Sequence, residues 1–75
     1  MSRLPGLNAK ELTKILEKLG FTCKRQQGSH MFFEHPNGRT TIIPNHGGEE
    51  IDRGLLNKII KRDLNITREE FLKNI

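Results

Sequence analysis

The run Arg25-Gln26-Gln27-Gly28-Ser29-His30 holds the residues of this chain best suited to chemistry. It lies between two apolar, strand-like stretches, so His30 emerges at the edge of a hairpin with basic residues just upstream. An imidazole exchanges protons near neutral pH. Held among cations, it meets the needs of RNA-backbone cleavage without a metal. The same run also reads as an ordinary turn, with His30 a surface histidine beside a glycine.

Other chemistries find less support. Ser29 adjoins His30, but neighbouring strand residues point to opposite faces, which argues against a serine-hydrolase pair. His30 and His35 differ by an odd number and fall on opposite faces of a continuous strand. His46 sits beside Gly47 and Gly48 in a flexible loop. There is no His-x-x-x-His helix and no cysteine pair, so no metal site is expected. The single Cys23 leaves no internal disulfide. Glu49, Glu50 and Asp52 read as negative charge near a helix N-terminus. The chain has no glycine loop of the nucleotide-binding type, and no cofactor is expected.

Seventy-five residues make one small domain, expected over 1–75, with a short arm at 1–7. A surface site or groove suits that size better than a deep pocket. Residues 1–20 contain no unbroken apolar core, and no run approaches transmembrane length, so a cytosolic protein without membrane contacts is expected. The net charge of +4 is unevenly spread. Residues 1–45 carry seven basic and three acidic side chains, whereas residues 46–75 carry six of each. The excess belongs to the half containing His30 and fits a polyanionic partner.

The elements that must position His30 are legible from caps and periodicity. Asn8 and Glu11 form a capping box for a helix burying Leu12, Ile15, Leu16 and Leu19, stopped by Gly20. Lys10, Lys14 and Lys18 form a second stripe on it, read first as a solvated face and alternatively as a phosphate-contacting one. Phe21 to Gln26 reads as a strand with Phe21, Cys23 and Arg25 on one side, and Gln27-Gly28 as a tight turn. A second strand spans Ser29 to Glu34. Met31 and Phe33 face the core, and His30, Phe32 and Glu34 face away. Phe32 could stack on a base, although packing under the arm or the last helix is the simpler reading. Pro36-Asn37-Gly38-Arg39 is a hairpin signal. A third strand runs from Thr40 to Ile43 and ends at Pro44. A helix capped by Asp52 buries Leu55, Leu56, Ile59 and Ile60, with Gly54 read as close packing on the sheet. Thr67 to Glu70 opens a short last helix with Phe71 and Leu72. The expected fold is α+β: helix, three-stranded antiparallel sheet, helix, short helix, with one sheet face open.

These residues together resemble a known family. The helix ending Leu19-Gly20-Phe21 comes first, followed by the Arg25–His30 run, Phe33 and His35-Pro36-Asn37-Gly38-Arg39. Ile43-Pro44 with His46, and Gly54-Leu55-Leu56 with Ile59-Ile60, complete the set. It is similar to the HicA toxins of HicAB toxin–antitoxin pairs over about residues 8–72. The resemblance implies a fold like a double-stranded RNA-binding domain and an mRNA interferase, an endoribonuclease that stops translation by cutting mRNA. It implies His30 as the catalytic residue and a HicB antitoxin that silences the site. Gly28, Ser29 and His30 carry over directly; His46 matches a family position without an assigned role. Residues 66–75 form an extension found in part of the family. On this reading Lys24, Arg25, Gly28, Ser29 and Arg39 contact RNA, and the three cations are candidates to offset charge at phosphorus. The general acid stays open among water, protonated His30 and a lysine. The alternative from another class is a non-catalytic RNA-binding module using the same basic face.

Overall fold

A computed structural model describes residues 4–75. Helix α1 spans Ala9–Lys18, and strands β1, β2 and β3 span Thr22–Gln27, His30–Glu34 and Thr40–Pro44. Helix α2, Arg53–Lys58, runs directly into a π-helical turn at Ile59–Leu64, and α3 spans Arg68–Leu72. The sheet is antiparallel in the order β1-β2-β3, with the helices on one face. This is the predicted α+β arrangement, like that of a double-stranded RNA-binding domain. No helix among the described residues is long and apolar enough to cross a membrane.

The caps form as read. The Asn8 side chain accepts from the Glu11 N–H while Glu11 accepts from the Asn8 N–H, each at 2.9 Å. Asp52 accepts from the Leu55 N–H, and Thr67 from the Glu70 N–H. Leu12, Leu16, Leu56, Ile59, Ile60 and Leu64 from the helices meet Phe33 and Ile43 from the sheet in one core. Leu55 and Leu19 pack at its margin. The predicted arm also contributes: Leu4 and Leu7 are buried, the Leu7 carbonyl accepts from the Ile51 N–H, and the Leu4 carbonyl accepts from Arg53. Of that arm, residues 1–3 lie outside the described residues.

Three local readings are corrected. Gly54 does not pack on the sheet; it is exposed, and a Cβ there would meet only the Asp52 carboxylate, at 3.0 Å. Its smallness keeps that capping carboxylate unobstructed. The predicted α2 does not stay α-helical. It widens into the π-turn, which Asn65 closes at φ +54° with the Ile66 N–H reaching back to the Ile60 carbonyl. The β1–β2 turn sits one residue later than predicted, on Gly28-Ser29, with Gln27 still in β1 and paired with His30. Gly28 adopts φ +56°, as a two-residue hairpin with glycine in first place requires, and a Cβ there would touch nothing.

The His35–Arg39 segment is structural in a way its hairpin signature does not convey. The His35 ring meets Phe21 edge-on at 5.1 Å, and its Nδ1 accepts from the Asn37 N–H. Asn37 in turn accepts from the Arg39 backbone and guanidinium, and Arg39 lies over the Phe21 ring while donating to the Leu64 carbonyl. Thr41, buried on β3, donates to Asp63 at 2.9 Å. These contacts fasten the far end of the sheet to Phe21, in the connection that follows α1, and to the π-turn. Gly20 permits the close approach of the His35 ring: it sits at φ +97°, and a Cβ would lie 2.8 Å from His35 Nε2. Gly20→Ala is expected to cost ~1–3 kcal/mol from backbone strain alone, before any ring displacement. A thermal melt reads it as a fall of ~4–8 °C per kcal/mol.

Candidate active site

The sheet face turned away from the helices carries the residues around His30. Facing pairs in an antiparallel ladder share a face, and the register sets His30 opposite Gln27 and Pro44, and Phe32 opposite Arg25 and Ile42. Arg25, Gln27, His30, Phe32 and Ile42 line one small cleft of about 60 Å³. His30 is exposed, and no described residue hydrogen-bonds its ring. Both ring nitrogens are therefore open to a substrate. The β-strand fixes the Cα–Cβ direction, but no neighbour selects a tautomer or a ring angle.

Arg25 reaches this face through a feature the alternation misses. Cys23 pairs with Phe33 and Arg25 with Phe32, leaving Lys24 as an extra residue in a β-bulge. The Cys23 thiol donates to the Arg25 carbonyl across it at 3.6 Å. Strict alternation puts Arg25 with Cys23 and Phe21; the bulge turns it over to join His30. There its guanidinium lies 5.2 Å above the Phe32 ring, a cation–π contact that steers the charge along the open face. Phe32 thus lies neither under the arm nor under the last helix.

The other predicted site residues are spread out. Lys24 lines a separate cleft with Glu34, His35, Pro36 and Gly38. Arg39 lies beyond the Glu34–Thr40 pair, whereas His30 pairs with Pro44 at the other end, four residues along β3 or ~13 Å. Its guanidinium is committed to Leu64, Asn37 and Phe21, so Arg39 is not a cation for chemistry at His30. Gly28 and Ser29 form the turn beside His30, and the Ser29 carbonyl accepts from the Asn45 N–H at 2.6 Å, tying the β3–α2 loop to the site. His46 borders a different cleft with Pro44, Glu49, Glu50 and Leu55. Among the described residues no three His, Cys, Asp or Glu side chains converge.

Gln27 and Ile42 are the members of the cleft that the sequence reading does not single out. Ile42 was findable: the Asn-Gly hairpin fixes the register that sets it beside Phe32, and its 51% exposure is unusual for an isoleucine in a sheet.

A cleft of about 60 Å³ cannot enclose a nucleobase, but a polymer backbone can be drawn across it. One base-type side chain, one adjacent cation and a flat apolar floor constitute the chemistry available here. No curated protein matches the chain. The sequence model of the HicA toxin of bacterial toxin–antitoxin systems matches residues 9–65. That span takes in α1, the whole sheet with its bulge and turn, α2 and the π-turn, and leaves only α3 and the chain ends outside. The chain therefore belongs to the HicA toxin family.

Proposed function

We propose that this toxin is an mRNA interferase, a metal-independent endoribonuclease in which His30 is the catalytic base, and that a HicB-type antitoxin neutralises it. The observation that carries the reading is the exposed, uncommitted His30 ring beside the Arg25 guanidinium on the open face of a strand.

Neutral His30 takes the proton from a ribose 2′-OH. The 2′-oxygen attacks the neighbouring phosphorus, the bond to the 5′-oxygen breaks, and that oxygen leaves with a proton from water or from protonated His30. The products are a 2′,3′-cyclic phosphate and a 5′-hydroxyl. Arg25 offsets the extra negative charge at phosphorus, and the Phe32 ring keeps its planar fork on the open face. Gly28 brings the turn backbone close to the strand, and Ser29 shapes that turn. DNA lacks the nucleophile, so it binds without being cut. With no third group to orient the imidazole, the enzyme is expected to be slow, which a toxin tolerates.

The test is incubation of purified protein with single-stranded RNA, and DNA of the same sequence, in EDTA. RNA fragments ending in cyclic phosphate, with DNA intact, are the expected result. Cleavage that disappears in EDTA and returns with Mn²⁺ or Zn²⁺ would overturn the mechanism.

A further inference from the structure

A groove of about 550 Å³ runs along α1, on the other side of the sheet from the His30 cleft. Its walls include Lys10, Thr13, Lys14 and Glu17 from the helix, Met31 from β2 and Asn45 from the β3–α2 loop. Lys10 and Lys14 stand one helical turn apart and both are exposed, so two ammonium groups border the same channel. Lys18, the third residue of that stripe, does not line it. Between the two lysines the Thr13 hydroxyl is shielded from solvent and has no hydrogen-bond partner among the described residues. Such a group is costly to leave unpaired, and after a χ1 rotation it is free to take a ligand oxygen.

The groove and the His30 cleft share no lining residue, but Met31 and Asn45 bring the groove to the sheet end at which His30 begins β2. Met31 follows His30 and points to the opposite face, and the Asn45 N–H holds the Ser29 carbonyl. A strand whose scissile phosphate lies at His30 can round the Ser29–Asn45 end and lay its next phosphates between α1 and the loop. Two ammoniums, a hydroxyl and an amide suit a ribose-phosphate chain. Only a single strand can bend around a sheet end so tightly, and Glu17 repels phosphate at one limit of the track.

We propose that this groove is a second backbone subsite for single-stranded RNA, holding phosphates that flank the one cut at His30; the inference rests on the ribonuclease reading above. It goes beyond that reading by giving Lys10 and Lys14 a role that Lys18 does not share.

The test measures RNA affinity against salt in the His30→Ala protein, in which the RNA survives. An oligoribonucleotide of about eight residues is compared with a dinucleotide. Replacing Lys10 and Lys14 together by Gln should lower the salt slope for the longer RNA by about 1.4, two contacts at ~0.7 each. Over a tenfold rise in salt the parent then loses ~25-fold more affinity than the double variant. Dinucleotide binding should not change, and Lys18→Gln should keep the parent slope. Equal slopes in parent and double variant, a Lys18→Gln effect as large as the double variant's, or no RNA binding by the parent would each overturn the proposal. So would a double variant that keeps the slope but no longer captures the antitoxin, which would make the groove a protein interface. Cleavage by the wild-type protein is scored separately. Intact RNA with the expected slopes removes the ribonuclease reading and leaves the groove as an RNA-binding surface.

Discussion

His30→Ala is expected to remove RNA cleavage, and with it growth arrest, while leaving the fold and antitoxin capture in place. A positioned acid–base group is typically worth ~10²–10⁴ in rate, enough to turn a slow nuclease into an inert binder. Stability should not follow activity. His30 is exposed, its ring makes no hydrogen bond to a described residue, and Met31 and Phe33 carry the core packing of β2. Truncation therefore opens no cavity, and a change within ~0.5 kcal/mol is expected. Ser29→Ala should be milder, because the contact made by Ser29 to Asn45 is through its backbone carbonyl. A circular-dichroism melt beside an RNA cleavage assay on the same variant separates the outcomes. A variant that melts like wild type and still cuts RNA moves catalysis elsewhere, with His46 the next residue to replace. One that fails to fold makes His30 structural.

The architecture was legible because each element announces its ends by short-range chemistry. Asn8 with Glu11, Gly20, Asp52 and Thr67 are caps whose hydrogen bonds span only a few residues, so the sequence alone specifies them. The Asn37-Gly38 turn fixes the β2–β3 register, and that register puts Phe33 and Ile43 inwards and His30 and Phe32 outwards. What was not legible depends on tertiary packing. Nothing in Cys23-Lys24-Arg25 marks a bulge, since no glycine or proline stands there, yet the bulge decides which face receives Arg25. The π-turn is equally silent in composition and is recognisable only from the αL closure at Asn65.

The candidate site shows the same limit. Grouping Lys24, Arg25 and Arg39 by nearness in sequence to His30 treats the hairpins as if their ends met. In an extended sheet they do not, and Arg39 is drawn off by the Leu64 carbonyl and the Phe21 ring. The role of His35 was hidden for a related reason. Its motif reads as a hairpin signal and part of the family pattern, whereas its ring is spent on Phe21, Asn37 and the space that Gly20 leaves. Two histidines in one short chain thus differ in commitment, His35 to packing and His30 to no described partner, and only their surroundings tell them apart.

Phe71→Ala is expected to be strongly destabilising, although Phe71 lies outside the family match. Residues 66–75 could be an appendage by sequence, but Phe71 is fully buried in the common core, and Leu72 and Ile66 pack against that core's edge. Emptying a buried phenylalanine costs ~3–5 kcal/mol. A chain of this length has only about 4–11 kcal/mol to lose. The variant should therefore populate unfolded protein substantially at 37 °C and lose toxicity through abundance rather than chemistry, mimicking His30→Ala in a growth assay. Urea unfolding distinguishes the two: His30→Ala keeps the wild-type midpoint, whereas Phe71→Ala moves it sharply down with little change in slope. A Phe71→Ala midpoint within ~1 kcal/mol of wild type would show that the core closes without α3. The extension would then need another purpose, such as contact with the antitoxin. The expected loss would mean instead that part of the hydrophobic core lies outside the segment the family model matches, so that trimming the chain to residues 9–65 sacrifices the fold that holds His30 in place.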